Sequence, residues 1–251
     1  MHHHHHHEDS FTTLFRIVEG WFNQRLPDGG PRYAEYHPEL VIVEPWNAVS
    51  SMFMMLPAII FFFHYRHQLN QLRFLAFAIA MVFLGGLGST LFHAFRMSPV
   101  FLMLDVIPSA LLTLAIAIYF WFKVLPKRWM VLLIFVPVFG IRIVFFRELP
   151  QHLSINISYA ISGLLVIVPL LIILYRTNFR HVFWVIYMIA AFGIALLFRQ
   201  LDAHPIAWIP QGTHFLWHLF TSAGSWFVLS YLHYVSTEPS LRTVNKEGEN
   251  L

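Results

Sequence analysis

The chain has no cysteine, which excludes disulfide staples and thiolate metal ligands. Charge is scarce: 12% of the 251 residues are Asp, Glu, Lys or Arg, where an ordinary soluble domain has about 25%. Internal repeats, long polar linkers and a cleavable leader with a plain apolar core are also missing. The basic residues are scattered over short connections, so the net charge of +3 is no footprint for nucleic acid. What fills the chain instead is hydrocarbon: 57% hydrophobic residues, with 26 Phe and 8 Trp. Met1–His7 read as an affinity tag, which supplies six of the sixteen histidines and is set aside.

A membrane helix needs about 20 mostly apolar residues. Seven stretches qualify, at approximately 46–65, 74–95, 100–123, 129–146, 153–175, 181–199 and 212–234. The fourth is the weakest, because Arg142 lies within it. The expected architecture is an all-α membrane protein: a seven-transmembrane helix bundle over 46–235, preceded by a short interfacial amphipathic helix. Residues 8–45 hold that helix and a loop. Phe11, Leu14, Phe15, Val18, Trp21 and Phe22 recur at helical spacing there, and Pro27 to Pro31 break the pattern. The remaining residues, 236–251, read as a flexible polar tail.

Lys and Arg orient the bundle. Arg66, Arg73, Lys123, Lys127, Arg128, Arg176, Arg180, Arg242 and Lys246 fall on one side, against Arg96, Arg147 and Arg199 on the other. The positive-inside rule then places the C-terminus in the cytoplasm and the N-terminus outside or in a lumen. Compact loops and the absence of sorting signals favour a bacterial inner membrane over an endoplasmic reticulum or Golgi membrane.

Polar groups inside these spans carry the functional signal, because each is costly in hydrocarbon. They read Ser89-Thr-Leu-Phe-His93, then Asp105, then His214-Phe-Leu-Trp-His218. Counting spans puts the end of the second and the starts of the third and seventh at the same membrane face. Residues four apart share a helix face, so His214 and His218 can hold one metal, with His93 as third ligand. Three protein ligands with an open position is the pattern of a catalytic zinc site. Asp105 suits a proton acceptor for zinc-activated water. Ser89, one turn before His93, suits a donor to the developing oxyanion. Plainer readings stand beside these. Ser89 follows Gly85, Gly86 and Gly88, which mark close helix packing, and Asp105 can form an ion pair with Arg96 or Arg142.

These residues resemble the alkaline ceramidase family of seven-span membrane hydrolases. The family's Gly-x-Gly-Ser-x-x-x-His is matched by Gly86-Leu-Gly-Ser-Thr-Leu-Phe-His93. Its Leu-Leu-Asp-Glu-x-Pro is matched by Met103-Leu-Asp105-Val-Ile-Pro108. Its Phe-His-x-x-Trp-His and following Gly-Ser-aromatic are matched by Thr213-His-Phe-Leu-Trp-His218 and Gly224-Ser-Trp226. Glu44-Pro-Trp-Asn47-Ala-Val-Ser50 resembles its Glu-Phe-Trp-Asn-x-x-Ser, and Gln200-Leu-Asp202 its Asn-x-Asp. The resemblance covers about residues 33 to 234. It implies cleavage of a ceramide-like lipid, entering from the bilayer, to a sphingoid base and a fatty acid. It implies zinc on His93, His214 and His218, with Asp105 and Ser89 at the active site. It also implies calcium near Glu35 and Glu44. However, Arg32 and His37 stand where the family has oxygen donors, and a cation opposes a calcium site. Calcium is therefore expected to be weak or absent, with Glu35 and Glu44 engaging partners such as Arg32. The family's Glu after the Asp is Val106 here, and the His93-to-Asp105 gap is one residue longer. Two rival functions remain at this point: a seven-helix lipid receptor with structural zinc, and a proton-coupled transporter.

Overall fold

The computed structural model describes residues 26–202, 206 and 208–241. The interfacial helix expected over 11–22 lies outside the described residues. Eight α-helices are present among those described: α1 (Pro45–Phe53), α2 (Leu56–Tyr65), α3 (Arg73–Phe95), α4 (Pro99–Val124), α5 (Val131–Glu148), α6 (Gln151–Arg176), α7 (Val182–Leu201) and α8 (His214–Thr237). No strand occurs among the described residues, only an isolated bridge between Ile206 and Ile209. The first apolar stretch is thus one rod in two pieces, broken at Met54–Met55, with Pro57 starting the second piece.

Among the described residues, five rods are long and apolar enough to cross a membrane: Pro45–Tyr65, Arg73–Phe95, Pro99–Val124, Arg128–Glu148 and Val182–Leu201. The other two, α6 and α8, fall where the sequence places its fifth and seventh stretches but carry more polar residues. Among the described residues, α6 offers the apolar stretch Ala160–Arg176. Helix α8 carries His214, His218, Ser222, Ser225, Ser230 and His233. The weak fourth stretch does form a long apolar helix, and its Arg142 reaches across to Ser162 of α6 at 3.4 Å.

Short connections make neighbouring rods antiparallel, and α7–α8 and α3–α4 are the most extensively packed pairs. Helix α1 lies against α3 and α8, and α6 lies against α4 and α5. Contact between α3 and α4 is close because Gly88 has no side chain. A Cβ there would run into the Leu104 carbonyl and the Asp105 backbone nitrogen. The main core sits at one end of the bundle, where Leu75, Phe120, Ile173, Leu229, Tyr231, Leu232 and Val235 are buried together. Helix α8 runs on to Thr237, and the 3-10 turn Pro239–Leu241 returns Leu241 to this core. Residues 242–251 lie outside the described residues.

Candidate metal centre

At the opposite end, the last turns of α3 meet the first turns of α1, α4 and α8. The three histidines expected as ligands converge here. Their nitrogens lie within 4.8 Å of one another, and the ring centroids are 4.7 to 5.1 Å apart. His93 and His218 are 1% exposed and His214 3%. Among the described residues, His93 Nε2 and His214 Nδ1 have no hydrogen-bond partner. Orphaned buried ring nitrogens are expensive, and two of them facing a third imidazole fit a divalent ion with nitrogen preference. Three histidines, with no fourth His, Asp or Glu donor among the described residues, suit zinc with an open position.

Each imidazole is fixed from behind. Glu44 Oε2 sits 2.5 Å from His93 Nδ1. Ser50 Oγ lies 2.8 Å from His218 Nδ1 and Ser51 Oγ 3.2 Å. Tyr33 stacks on His214 with ring centroids 3.9 Å apart and reaches within 5.1 Å of the His93 ring. Such outer partners set tautomer and ring orientation in metal sites.

Asp105 is half-buried one helix away. Ser89, on the facing turn of α3, lies beside its carboxylate, and Ser51 Oγ donates to Ser89 Oγ at 3.1 Å. The close α3–α4 approach at Gly88 is what lets Ser89 and Asp105 meet. The ion pair considered for Asp105 does not form. Arg96 is engaged by Asp28 and Glu44, and Arg142 by Ser162.

Glu35 and Glu44 each engage groups of the chain itself. Glu35 accepts the backbone N–H of Trp46 at 2.8 Å and of Asn47 at 2.9 Å. It thus satisfies donors that the first turn of α1 leaves open, next to the positive end of the helix. Glu44 contacts His93, Arg96 and the Asn47 amide. The partner expected for the pair, Arg32, instead lies over the Tyr36 ring. Arg96 takes that place because α3 ends on it in a left-handed turn (φ 49°), which aims the guanidinium back at Glu44. Among the described residues, the three histidines are the group of His, Asp and Glu side chains placed to share an ion.

Asp202 does for α8 what Glu35 does for α1. Its Oδ1 accepts from Thr213 N at 2.7 Å and His214 N at 2.9 Å, and its Oδ2 from Ala34 N at 3.1 Å. Gly212 turns the chain into this contact with a positive φ of 73°. Burial raises the carboxyls of Glu35, Glu44 and Asp202 above their ordinary range. Backbone N–H groups oppose this at Glu35 and Asp202, and Arg96 and Asn47 oppose it at Glu44. Burial pulls the Arg96 guanidinium down, but hydrogen bonds to Asp28 and Glu44 outweigh it and leave the group above its usual value.

Sequence reasoning missed Tyr33, Ser51 and the clamp of Arg96 on Asp28 and Glu44. For Ser51 a signal existed. Asn47, Ser50 and Ser51 fall at i, i+3 and i+4, a small polar stripe in an apolar span. Nothing in the sequence joins Tyr33 or Asp28 to histidines 60 to 190 residues away. No protein-family model matches the chain, and no curated protein matches it.

Proposed function

We propose that the protein is an intramembrane zinc-dependent amide hydrolase that cleaves ceramide-like N-acyl sphingolipids to a sphingoid base and a free fatty acid. The observation that supports this most is the convergence of three buried imidazoles, two of them with an unpartnered nitrogen, beside Asp105 and Ser89. The ligands would be His93, His214 and His218. Zinc so held supplies a water acidic enough to act as a nucleophile near neutral pH and polarises a carbonyl. The chain's own residues do the rest. Asp105 accepts the proton of the attacking water as the oxygen adds to the amide carbon. It then returns that proton to the nitrogen as the C–N bond breaks, so the amine leaves neutral. Ser89 donates to the oxygen that gains charge. Tyr33 roofs His214, which limits the water around the reacting groups. A long-chain amide suits a site at one end of an apolar bundle, where its tails stay in hydrocarbon.

This reading takes the bundle as seven spans with the N-terminus outside and the C-terminus in the cytoplasm, in a bacterial inner membrane. The test is incubation of purified protein with a panel of ceramides of varied acyl chain. Release of fatty acid and sphingoid base in equal amounts, lost when zinc is chelated and regained when it is restored, is expected. If no ceramide or other N-acyl lipid turns over while zinc stays bound, a lipid receptor with structural zinc becomes the better reading.

A further inference from the structure

Three residues beyond its candidate ligand His93, helix α3 ends on Arg96, a buried cation in a backbone conformation that L-residues seldom adopt. Four contacts explain why it is held there. Its Nε donates to Asp28 Oδ2 at 2.6 Å and its Nη2 to Asp28 Oδ1 at 3.2 Å. Nη2 also donates to the Pro31 carbonyl at 2.9 Å, and Nη1 donates to Glu44 Oε1. The other oxygen of the same carboxylate meets His93 Nδ1. The backbone repeats the tie, since Glu44 N donates to the His93 carbonyl at 3.1 Å and Val43 N to the Ala94 carbonyl at 2.9 Å. The chain from Asp28 through Arg96 and Glu44 to His93 is continuous, and both carboxylates in it are buried.

We propose that Arg96 is a positioning residue for the metal centre, acting on His93 through Glu44. A guanidinium presents donors in a rigid fork, so anchoring two of them on Asp28 fixes where the third holds Glu44. Glu44, pinned at one oxygen, offers the other to His93 Nδ1 along one line. That contact commits the Nδ1 side of the imidazole and turns Nε2, which has no other partner, toward His214 and His218. The loop bearing Asp28 and Pro31 thereby sets a ligand it never touches. This rests on the zinc reading of the three histidines but not on the identity of the substrate.

The experiment measures Zn²⁺ affinity of detergent-purified protein by chelator competition, and the visible spectrum after Co²⁺ replacement, for wild type, Arg96→Leu, Arg96→Lys, Glu44→Gln, Asp28→Asn and, as a control, Arg142→Leu. Arg96→Leu and Glu44→Gln are expected to weaken Zn²⁺ binding about 10- to 100-fold and to change the Co²⁺ bands. Arg96→Lys should restore affinity only in part, since an ammonium lacks the fork. Arg142→Leu, which also removes an intramembrane cation, should leave both readouts unchanged. A folded Arg96→Leu protein with wild-type affinity and an unaltered Co²⁺ spectrum overturns the proposal. Should that variant not fold, Asp28→Asn decides: it keeps both the guanidinium and Glu44, and unchanged affinity and spectrum there overturn it equally. Wild-type protein that binds no Zn²⁺ refutes the metal reading itself, an outcome separate from either of these.

Discussion

The two ends of this bundle are built on different physics. At the end bearing the three histidines, the candidate metal end, buried polar groups hold one another. Glu35 closes the start of α1, Asp202 closes the start of α8, and Arg96 finishes α3 by clasping Asp28 and Glu44. At the far end, aromatic and aliphatic side chains make the buried core, and the polar contacts, such as Tyr119 Oη to Ser236 Oγ at 3.1 Å and Arg176 Nη1 to the Val124 carbonyl at 3.0 Å, lie around it. Phe74 stacks on Tyr119 at 4.0 Å, Tyr65 on His233 at 4.3 Å, and Phe61 meets Trp226 edge-on at 5.1 Å. Lipid tails are as apolar as these side chains, so burial alone drives helices together weakly in a bilayer, and close fit takes over. Polar groups in the same setting must find partners or stay costly. The metal end should therefore be specified residue by residue, and the far end by shape.

The largest effect expected from this contrast is at the histidines. Substituting His218→Ala removes one of three donors and leaves Ser50 and Ser51 without their imidazole partner. Elemental analysis should fall from about one zinc per chain to a small fraction, and ceramide turnover should vanish with it. Metal content unchanged in His218→Ala would take that residue out of the ligand set. Next comes Asp105→Asn, which keeps size and burial but cannot accept the proton. Turnover should drop by about 10²- to 10⁴-fold while zinc content stays at the wild-type level. Equal loss of zinc would recast Asp105 as part of the metal's support.

Much of this end was legible in the sequence because polar residues stand out against hydrocarbon. His93, His214 and His218 needed only spacing and a count of spans to be placed together, since antiparallel rods return to the same face at fixed intervals. The seven apolar stretches also correspond closely to the helical rods. The break at Met54–Met55 was passed over although Pro57, which suits the first turn of a new helix, marks it. The roles of Glu35 and Asp202 were not legible. A carboxylate that caps a distant helix has no local signature, unlike Ser98, which caps its own α4 by accepting Val100 N at 3.2 Å. Arg96 was visible as a charge, but its partners Asp28 and Glu44 lie 68 and 52 residues away, and only the fold brings them together.

A smaller effect separates fit from chemistry. Gly88→Ala puts a methyl group against the Leu104 carbonyl and should force α3 and α4 apart, costing about 1–3 kcal/mol. The same movement should loosen the Ser89–Asp105 contact, so thermal stability and turnover are expected to fall together. Nothing lies within 4 Å of a Cβ added at Gly163 or Gly193. Alanine at those sites should be neutral or stabilise by up to about 1 kcal/mol through helix propensity. A Gly88→Ala protein as stable as wild type would mean the two helices yield easily, and the close approach would lose its role in aligning the site.

The smallest effect belongs at the far end. Tyr231 is 1% exposed and packs edge-on against Phe120 at 6.2 Å. Among the described residues its hydroxyl has no hydrogen-bond partner. Removing a buried, unpartnered hydroxyl while keeping the ring relieves desolvation and preserves shape. Tyr231→Phe should therefore leave stability unchanged or raise it by about 1 kcal/mol, with zinc content and turnover at wild-type levels, as judged by a melting curve in detergent and the ceramide assay. Tyr231→Ala discards the ring as well, and should destabilise by about 3–5 kcal/mol through the cavity it leaves. If Tyr231→Phe proved as damaging as Tyr231→Ala, the far end too would depend on a specific polar contact, and the division between an end held by hydrogen bonds and an end held by fit would fail.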